Sequence, residues 1–455
     1  MATVIVALVA LTIAMSGSTL NTALPTLTRT FDVPPSAVAW VTLTPTLIAA
    51  STLALFGRLG DLTGKKRLYA VGITITLAGS ILCALSPSLG FLIAARAVQG
   101  IGTTILNALS VAYLIAVYPA TRRGTVVGVW EMAISLGIAA GPVIGGQLLG
   151  AFGWQAVFLA VLPPGALALA LLPRHLVDPP RPSVSQRFDV IGAALFAIAV
   201  GGLMYVLTQG SEAGWTSPLI LAGLAGTLLG GAGFVLVERR ISHPMVDLSM
   251  FRNLTFSAGN GAKIAGYLPF SATQFLVPFY LDGVLRLDPG TLGLVLTAFP
   301  VGMLGGSALS GPLSDRVGTR LLAPGGLLVV ALGSLVLMLI QPELGVVPAL
   351  AGTFLVGFGI GTFIAPNDSA IMSATPPDRL GLANGIMGVS RSLGVATGAA
   401  MAAGLFTARM AVNGGHILAS FREVYGLVVL IALIGAALAA LRDGRSTLAL
   451  GREMV

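Results

Sequence analysis

Long apolar runs separated by short polar segments account for nearly the whole chain. A bilayer core takes about 20 apolar residues per helix. By that measure fourteen runs are candidate spans: 3–25, 38–57, 68–86, 90–113, 124–149, 153–172, 190–208, 218–237, 255–281, 290–312, 321–340, 346–372, 380–407 and 424–441. The pair 190–208 and 218–237 has the weakest boundaries, and without it the count is twelve. The longest polar segments, Pro173–Asp189 and Glu238–Asn253, flank that pair. The pattern therefore predicts an all-α polytopic membrane protein arranged as six spans, two spans and six spans. Its parts are a first bundle over 1–172, a linker with two additional spans over 173–254, a second bundle over 255–441 and a tail over 442–455.

Composition agrees. Of 455 residues, 55% are hydrophobic and 9% charged, against about 25% charged in soluble domains. The excess of basic residues does not point to nucleic acid, because they lie in short loops between apolar runs. Counted from an N-terminus on the inner side, eighteen basic residues fall in the inner loops and tail and four on the outer side. The positive-inside rule then predicts two cytoplasmic termini in a bacterial-type inner membrane. Cys83 lies in an apolar run and reads as a small packing residue. The first run has no basic n-region and reads as a retained helix, not a cleaved signal peptide.

One polar turn occurs twice. Gly57-Arg58-Leu59-Gly60-Asp61-Leu62-Thr63-Gly64-Lys65-Lys66-Arg67 returns in worn form as Gly311-Pro312-Leu313-Ser314-Asp315-Arg316-Val317-Gly318-Thr319-Arg320. Both copies fit G-x-L-x-D-x-x-G-x-[KR], and both lie between apolar runs, as expected of two related halves. Asp61 is expected in a tight turn, with Gly57 permitting close helix approach and Gly64 the chain reversal. Its carboxylate can accept hydrogen bonds from a helix N-terminus and pair with Lys65 or Arg67. In the fourth run Arg96, Gln99, Thr103 and Asn107 fall on one helical face. An arginine inside a span costs roughly 2.5–3.5 kcal/mol on insertion scales, so it faces a cavity, a partner or the interface. The fifth run carries Gly137-x-x-x-Gly141-Pro142-x-x-Gly145-Gly146, small residues that bring helices into backbone contact around a proline bend.

In this order and spacing the three motifs resemble the major facilitator superfamily, and the glycine–proline motif resembles its antiporter branch. The six-two-six layout is similar to the fourteen-span drug–proton antiporter family. Asn21-Thr22-Ala23-Leu24-Pro25, Trp154 through Phe158, Asp189-x-x-Gly192, Thr208-Gln209-Gly210 and His243-Pro244-Met245-Val246-Asp247-Leu248 extend the resemblance. It implies two bundles that expose a central site to each side in turn, and export of hydrophobic compounds against inward protons. It also implies that Asp61, Gly64, Lys65, Arg67, Asp315 and Arg316 act as a conformational gate. One position departs from the pattern: Ser16 stands where such proteins commonly carry an aspartate in the first span, and serine cannot cycle a proton near neutral pH.

Glu131, about two turns into the fifth run, is the replacement candidate, with Arg96 near the proton path. A carboxylate there reads equally as a proton carrier or as a structural group bonded to a neighbour such as Asn107. Lys263, about 12 Å into the ninth run, needs a partner. Glu131 and Asp368 are both open, and Asp368 is favoured because it shares a bundle with Lys263. Arg391 reads as a packing residue. Asn21, Gln99, Asn107, Lys263, Tyr267, Gln274 and Asp368 make up the expected substrate cavity, with Tyr267, Ser271 and Gln274 as a polar strip. No phosphate-binding G-x-x-x-x-G-K-[ST] sequence, metal-ligand cluster or nucleophile–base arrangement is visible, so no cofactor, metal or enzymatic activity is expected. The expected partners are a small-molecule substrate, protons and the lipid bilayer, with the protein a monomer. The alternatives are a transporter of one metabolite or organic anion, and a transport-inactive membrane sensor.

Overall fold

The computed structural model describes residues 1–178, 190–241, 248–317, 319–376 and 379–441. The expected tail 442–455, the motif at 243–247 and most of the polar segment before Val190 lie outside them. The described elements are helical throughout. The first run becomes α1 (Ala2–Ser18), a single 3-10 turn (Thr19–Ala23) and α2 (Leu24–Phe31), where Pro25 fits the first helical turn. Then follow α3 (Pro35–Thr63), α4 (Lys65–Ala84), α5 (Leu89–Val117), α6 (Ala120–Phe152), α7 (Trp154–Leu159) and α8 (Leu162–His175). The middle pair is α9 (Val190–Ala213) and α10 (Pro218–Glu238). The last part holds α11 (Leu254–Gly283), α12 (Pro289–Leu296), α13 (Ala298–Val317), α14 (Thr319–Met338), α15 (Val347–Ser373), α16 (Leu380–Val412) and α17 (Ile417–Ala440).

Twelve helical segments among the described residues are long and apolar enough to cross a membrane, and α10 is one of them. The other two of the fourteen expected runs are also helical. In α9 the apolar stretch is the shorter Ala194–Gly210, and α11 carries Asn260, Lys263, Gln274 and Asp282 along its length.

The turn expected around Asp61 is tighter than its sequence suggests. The backbone at Asp61 still belongs to the last turn of α3, and α4 starts at Lys65. The reversal rests on Gly64 alone, at φ +100°, a conformation glycine adopts without strain. Close approach falls at Gly60, packed on Leu109, and not at Gly57, which faces open space.

One compact unit comprises Met1–Ala197 and Leu281–Thr297. Its core gathers Ile5, Val9, Tyr69, Ile73, Leu106 and Tyr113 from α1, α4 and α5. Tyr69 and Ser110 share a buried hydroxyl–hydroxyl hydrogen bond of 2.8 Å. The glycine face of α6 meets α1 with almost nothing between: a methyl group at Gly137 would lie 2.6 Å from the Ala14 Cβ, and one at Gly145 2.6 Å from the Thr19 carbonyl oxygen. Ser18 Oγ donates across the seam to the Gly137 carbonyl at 3.0 Å. On its other side α6 meets α12, where Gly146 touches Pro289 and Gly293 touches the Pro142 carbonyl. The start of α12 is fixed by Asp288, whose carboxylate accepts from the Thr291 amide at 2.9 Å. Hydrogen bonding to that amide holds the Asp288 carboxyl below the usual carboxylate range.

The second unit comprises Ile198–Tyr280 and Ala298–Val455. Glycines again set its spacing. Gly302 and Gly306 of α13 lie on the backbone of α15, and Gly326 of α14 meets Gly359 of α15. Helices α9 and α10 pair through Gly202 and Gly223, and α9 rests on α16 where Gly404 meets the Leu207 carbonyl.

Within α6 the contacts predict opposite outcomes for one substitution. Gly141→Ala places a methyl group against the Ser18 hydroxyl and costs about 1–3 kcal/mol. Gly128→Ala, in open space on the same helix, is neutral or stabilising by up to about 1 kcal/mol. Thermal unfolding of the detergent-solubilised variants separates the two.

Candidate functional site

In the first unit Arg96 is buried among the helices, with 4% of its surface exposed. Its Nε donates to the Val41 carbonyl at 2.8 Å, and Nη1 donates to the Ser16 carbonyl at 3.2 Å and to the Gln99 side-chain oxygen. Gln99 Nε2 in turn donates to Ser80 Oγ at 2.7 Å. The guanidinium thus joins α1, α3, α4 and α5, and its acceptors among the described residues are all neutral. Ser16 takes part through its backbone, since its hydroxyl donates to Ile13 in its own helix at 3.0 Å. The face predicted for α5 therefore holds for Arg96 and Gln99. Thr103 bonds back to the Gly100 carbonyl, and Asn107 is half-buried without a side-chain hydrogen bond among the described residues. Glu131 is exposed on α6. The indole N–H of neighbouring Trp130 is buried with no hydrogen-bond partner. Asn21 is half-buried on the 3-10 turn.

In the second unit Lys263 meets Asp368. The ammonium of α11 donates to both carboxylate oxygens on α15, at 2.8 and 2.9 Å. The surroundings fix both helices. Asn367 Nδ2 donates to the Gly259 carbonyl at 3.2 Å, and Ser390 Oγ of α16 donates to the Asn260 side-chain oxygen at 2.9 Å. The polar strip expected to face substrate is largely internal: Tyr267 and Ser271 are buried, and Gln274 is half-buried. Gly394 of α16 packs against the Ile264 carbonyl oxygen and the Tyr267 Cβ.

At the repeated turn, the side chains of Asp61, Asp315 and Arg316 lie outside the described residues. Lys65 is buried and Arg67 exposed. The structure adds a residue that sequence reasoning left in a linker. Asp178, just after α8, accepts from the Lys66 amide at 3.2 Å, and Lys66 Nζ donates to the Pro173 carbonyl at 2.9 Å. A carboxylate at the start of α4 favours the positive end of that helix. The available clue was an isolated acid in an otherwise basic, proline-rich stretch. A second overlooked pair is Arg29 on α2 with Asp282 at the end of α11, a two-pronged ion pair within the first unit. Arg29 alone in the first loop was its only trace.

Buried charges on satisfied neighbours, glycine seams and a repeated helix corner describe a polytopic membrane protein. The model of the Major Facilitator Superfamily matches residues 6–276 and 261–450. The chain belongs to the Major Facilitator Superfamily. It is thus a multi-pass membrane transporter. Among relatives in this superfamily, the multidrug resistance protein Stp of Mycobacterium tuberculosis is 33% identical over 84% of this chain and 71% of its own. The riboflavin transporter RibZ of Clostridioides difficile is 29% identical over 92% of both chains. Of solved structures, that of a peptide transporter, POT, in complex with sulfate superposes with a TM-score of 0.72 over 97% of this chain and 96% of that one, at 16% identity. At that identity the likeness concerns the fold.

For a Major Facilitator protein in lipid, the two interior cations pose different demands. Arg96 is satisfied by carbonyls, whereas Lys263 depends on one carboxylate. Lys263→Met leaves Asp368 without its cation and is expected to cost about 3 kcal/mol, while Lys263→Met combined with Asp368→Leu is close to neutral. Thermal unfolding of both variants beside wild type tests this, and equal losses in the two would contradict it.

Proposed function

We propose that the protein is a proton-coupled exporter of small hydrophobic or amphipathic compounds, working by alternating access. In this reading 1–172 and 255–441 are two six-helix bundles, and 173–254 contributes a linker and two further spans. The protein acts as a monomer in a bacterial inner membrane with both termini in the cytoplasm. Glu131 is the titrating acid, Arg96 holds the helices around the proton path, and the repeated turns with Asp61 and Asp315 control opening on the inner side.

The observation that supports this best is the glycine seam of α6. Gly137 and Gly141 lie on α1 and Gly145 on the 3-10 turn that follows it, while Pro142 and Gly146 lie on α12. Backbone contact on both sides of one helix joins it closely to α1 and α12, as small residues in membrane helices permit, and this supports a role for the motif in holding the bundle during transport. The resistance function in the name of Stp is consistent with export. A second reading, transport of one metabolite or organic anion, draws on Ser16 in place of an acid and on Lys263 inside the second unit. A transport-inactive sensor is disfavoured, since it has no use for interior charges that cost about 2.5–3.5 kcal/mol each to place.

Reconstituted vesicles with an imposed proton gradient test the proposal, with tetraphenylphosphonium as cargo. Wild type is expected to move the cation against its gradient. Glu131→Gln is expected to fall to the rate of protein-free vesicles while still binding the cation. Undiminished gradient-driven movement in Glu131→Gln would remove that residue from the proton path.

A further inference from the structure

Export by alternating access gives no task to the residues that close α8 and follow it, yet the structure seats them firmly. Leu172 and Leu176 belong to the core of the first unit, with 3% and 2% of their surface exposed. Beside them the buried Tyr113 of α5 brackets the main chain of Val177. Its hydroxyl accepts from the Val177 amide at 3.2 Å and donates to the Val177 carbonyl at 3.0 Å. The position of Asp178, the next residue, is therefore set by a buried anchor.

From that anchor Asp178 reaches the corner between α3 and α4. Its Oδ1 accepts from the Lys66 amide at 3.2 Å, and Lys66 Nζ donates to the Pro173 carbonyl, in the last turn of α8, at 2.9 Å. Each helix end receives the charge that its dipole favours, a carboxylate at the start of α4 and an ammonium at the end of α8. The carboxylate matters here because Lys65, Lys66 and Arg67 fill the first turn of α4, where the dipole disfavours cations. The second carboxylate oxygen lies over Gly64, and a methyl group at Gly64 would sit 2.5 Å from it. A corner that reverses on one glycine, at φ +100°, has little stiffness of its own. Asp178 braces it from the side.

We infer that residues 172–178 form a strap on the first unit and that Asp178 is a positioning residue for transport. It holds the corner between α3 and α4 stiff, so that the turn carrying Asp61 moves with the whole unit. The purpose of the strap rests on the reading that the repeated turns control opening on the inner side. The stiffness it gives the corner does not.

The test is hydrogen–deuterium exchange on the full-length protein in detergent, beside gradient-driven movement of tetraphenylphosphonium in vesicles. Asp178→Ala is expected to speed exchange of the Lys66 amide about tenfold, as loss of one charge-assisted hydrogen bond gives. Exchange is also expected to rise in the last turn of α3, on the far side of Gly64. Tyr113→Phe keeps the ring, removes the hydroxyl and is expected to loosen the same corner from the other end of the strap. Asp178→Asn keeps an acceptor oxygen and is expected to restore most of the protection. In vesicles Asp178→Ala and Tyr113→Phe are expected to lower the maximal rate by about threefold or more, with the half-saturating concentration unchanged, while Asp178→Asn retains the rate. A merely structural role would reduce the amount of folded protein and leave exchange at the corner of the remainder unchanged. Wild-type exchange at the corner in Asp178→Ala or Tyr113→Phe, or equal losses in Asp178→Asn and Asp178→Ala, overturns the strap. Wild-type rates in variants whose corner has loosened overturn the positioning role while export stands. If wild type moves no cation but the exchange pattern holds, export falls and the strap stands.

Discussion

A charge inside a low-dielectric helix bundle has to be met where it sits, and much of this structure follows from how two cations are met. Arg96 has a planar fork of donors, and two neighbouring helices and Gln99 of its own helix supply neutral oxygens to it. Backbone carbonyls already engaged in a helix have a spare lone pair, so this arrangement introduces no further charge. Lys263 presents a compact ammonium, and the structure gives it both oxygens of one carboxylate. The first arrangement is insensitive to protonation of any partner. The second ties α11 to α15 through a single carboxylate. The many-armed guanidinium suits several neutral acceptors, whereas the compact ammonium suits one carboxylate.

Glycine provides the geometry in which those contacts are possible. Helices α1 and α6 approach until Ser18 reaches the Gly137 carbonyl, and α13, α14 and α15 nest along matching glycines. In lipid there is little hydrophobic gain in pressing helices together, so close van der Waals contact and hydrogen bonds between them carry the association. A bulkier residue at Gly137 or Gly141 would push α6 against α1, the helix that supplies the Ser16 carbonyl to Arg96.

Much of this was legible in the sequence, for identifiable reasons. Runs of apolar residues fix the helices because the bilayer length is fixed, and the rarity of acids near Lys263 left few partners, of which Asp368 proved to be the one. The glycine–proline pattern foretold the seam of α6. Other features had no local signature. Two acceptors of Arg96 are main-chain oxygens, which every residue has, so no side-chain pattern points to Val41 or Ser16. Gly57 and Gly60 look alike in sequence, and only the neighbour Leu109 decides which is the point of contact. The polar strip on α11 was read by periodicity, which gives a face but not what that face meets. Tyr267 faces α16.

The bond between Asp178 and the Lys66 amide spans 112 residues of chain. Domains generally assemble in order as the chain emerges from the ribosome, N-terminal part first. The corner between α3 and α4 is made early, yet the group that caps α4 arrives only after α8 has been synthesised. Until then that corner lacks the Asp178 hydrogen bond. Completion of the first six apolar runs is thereby tied to a single late carboxylate, which acts as a closing stitch in the biogenesis of the unit.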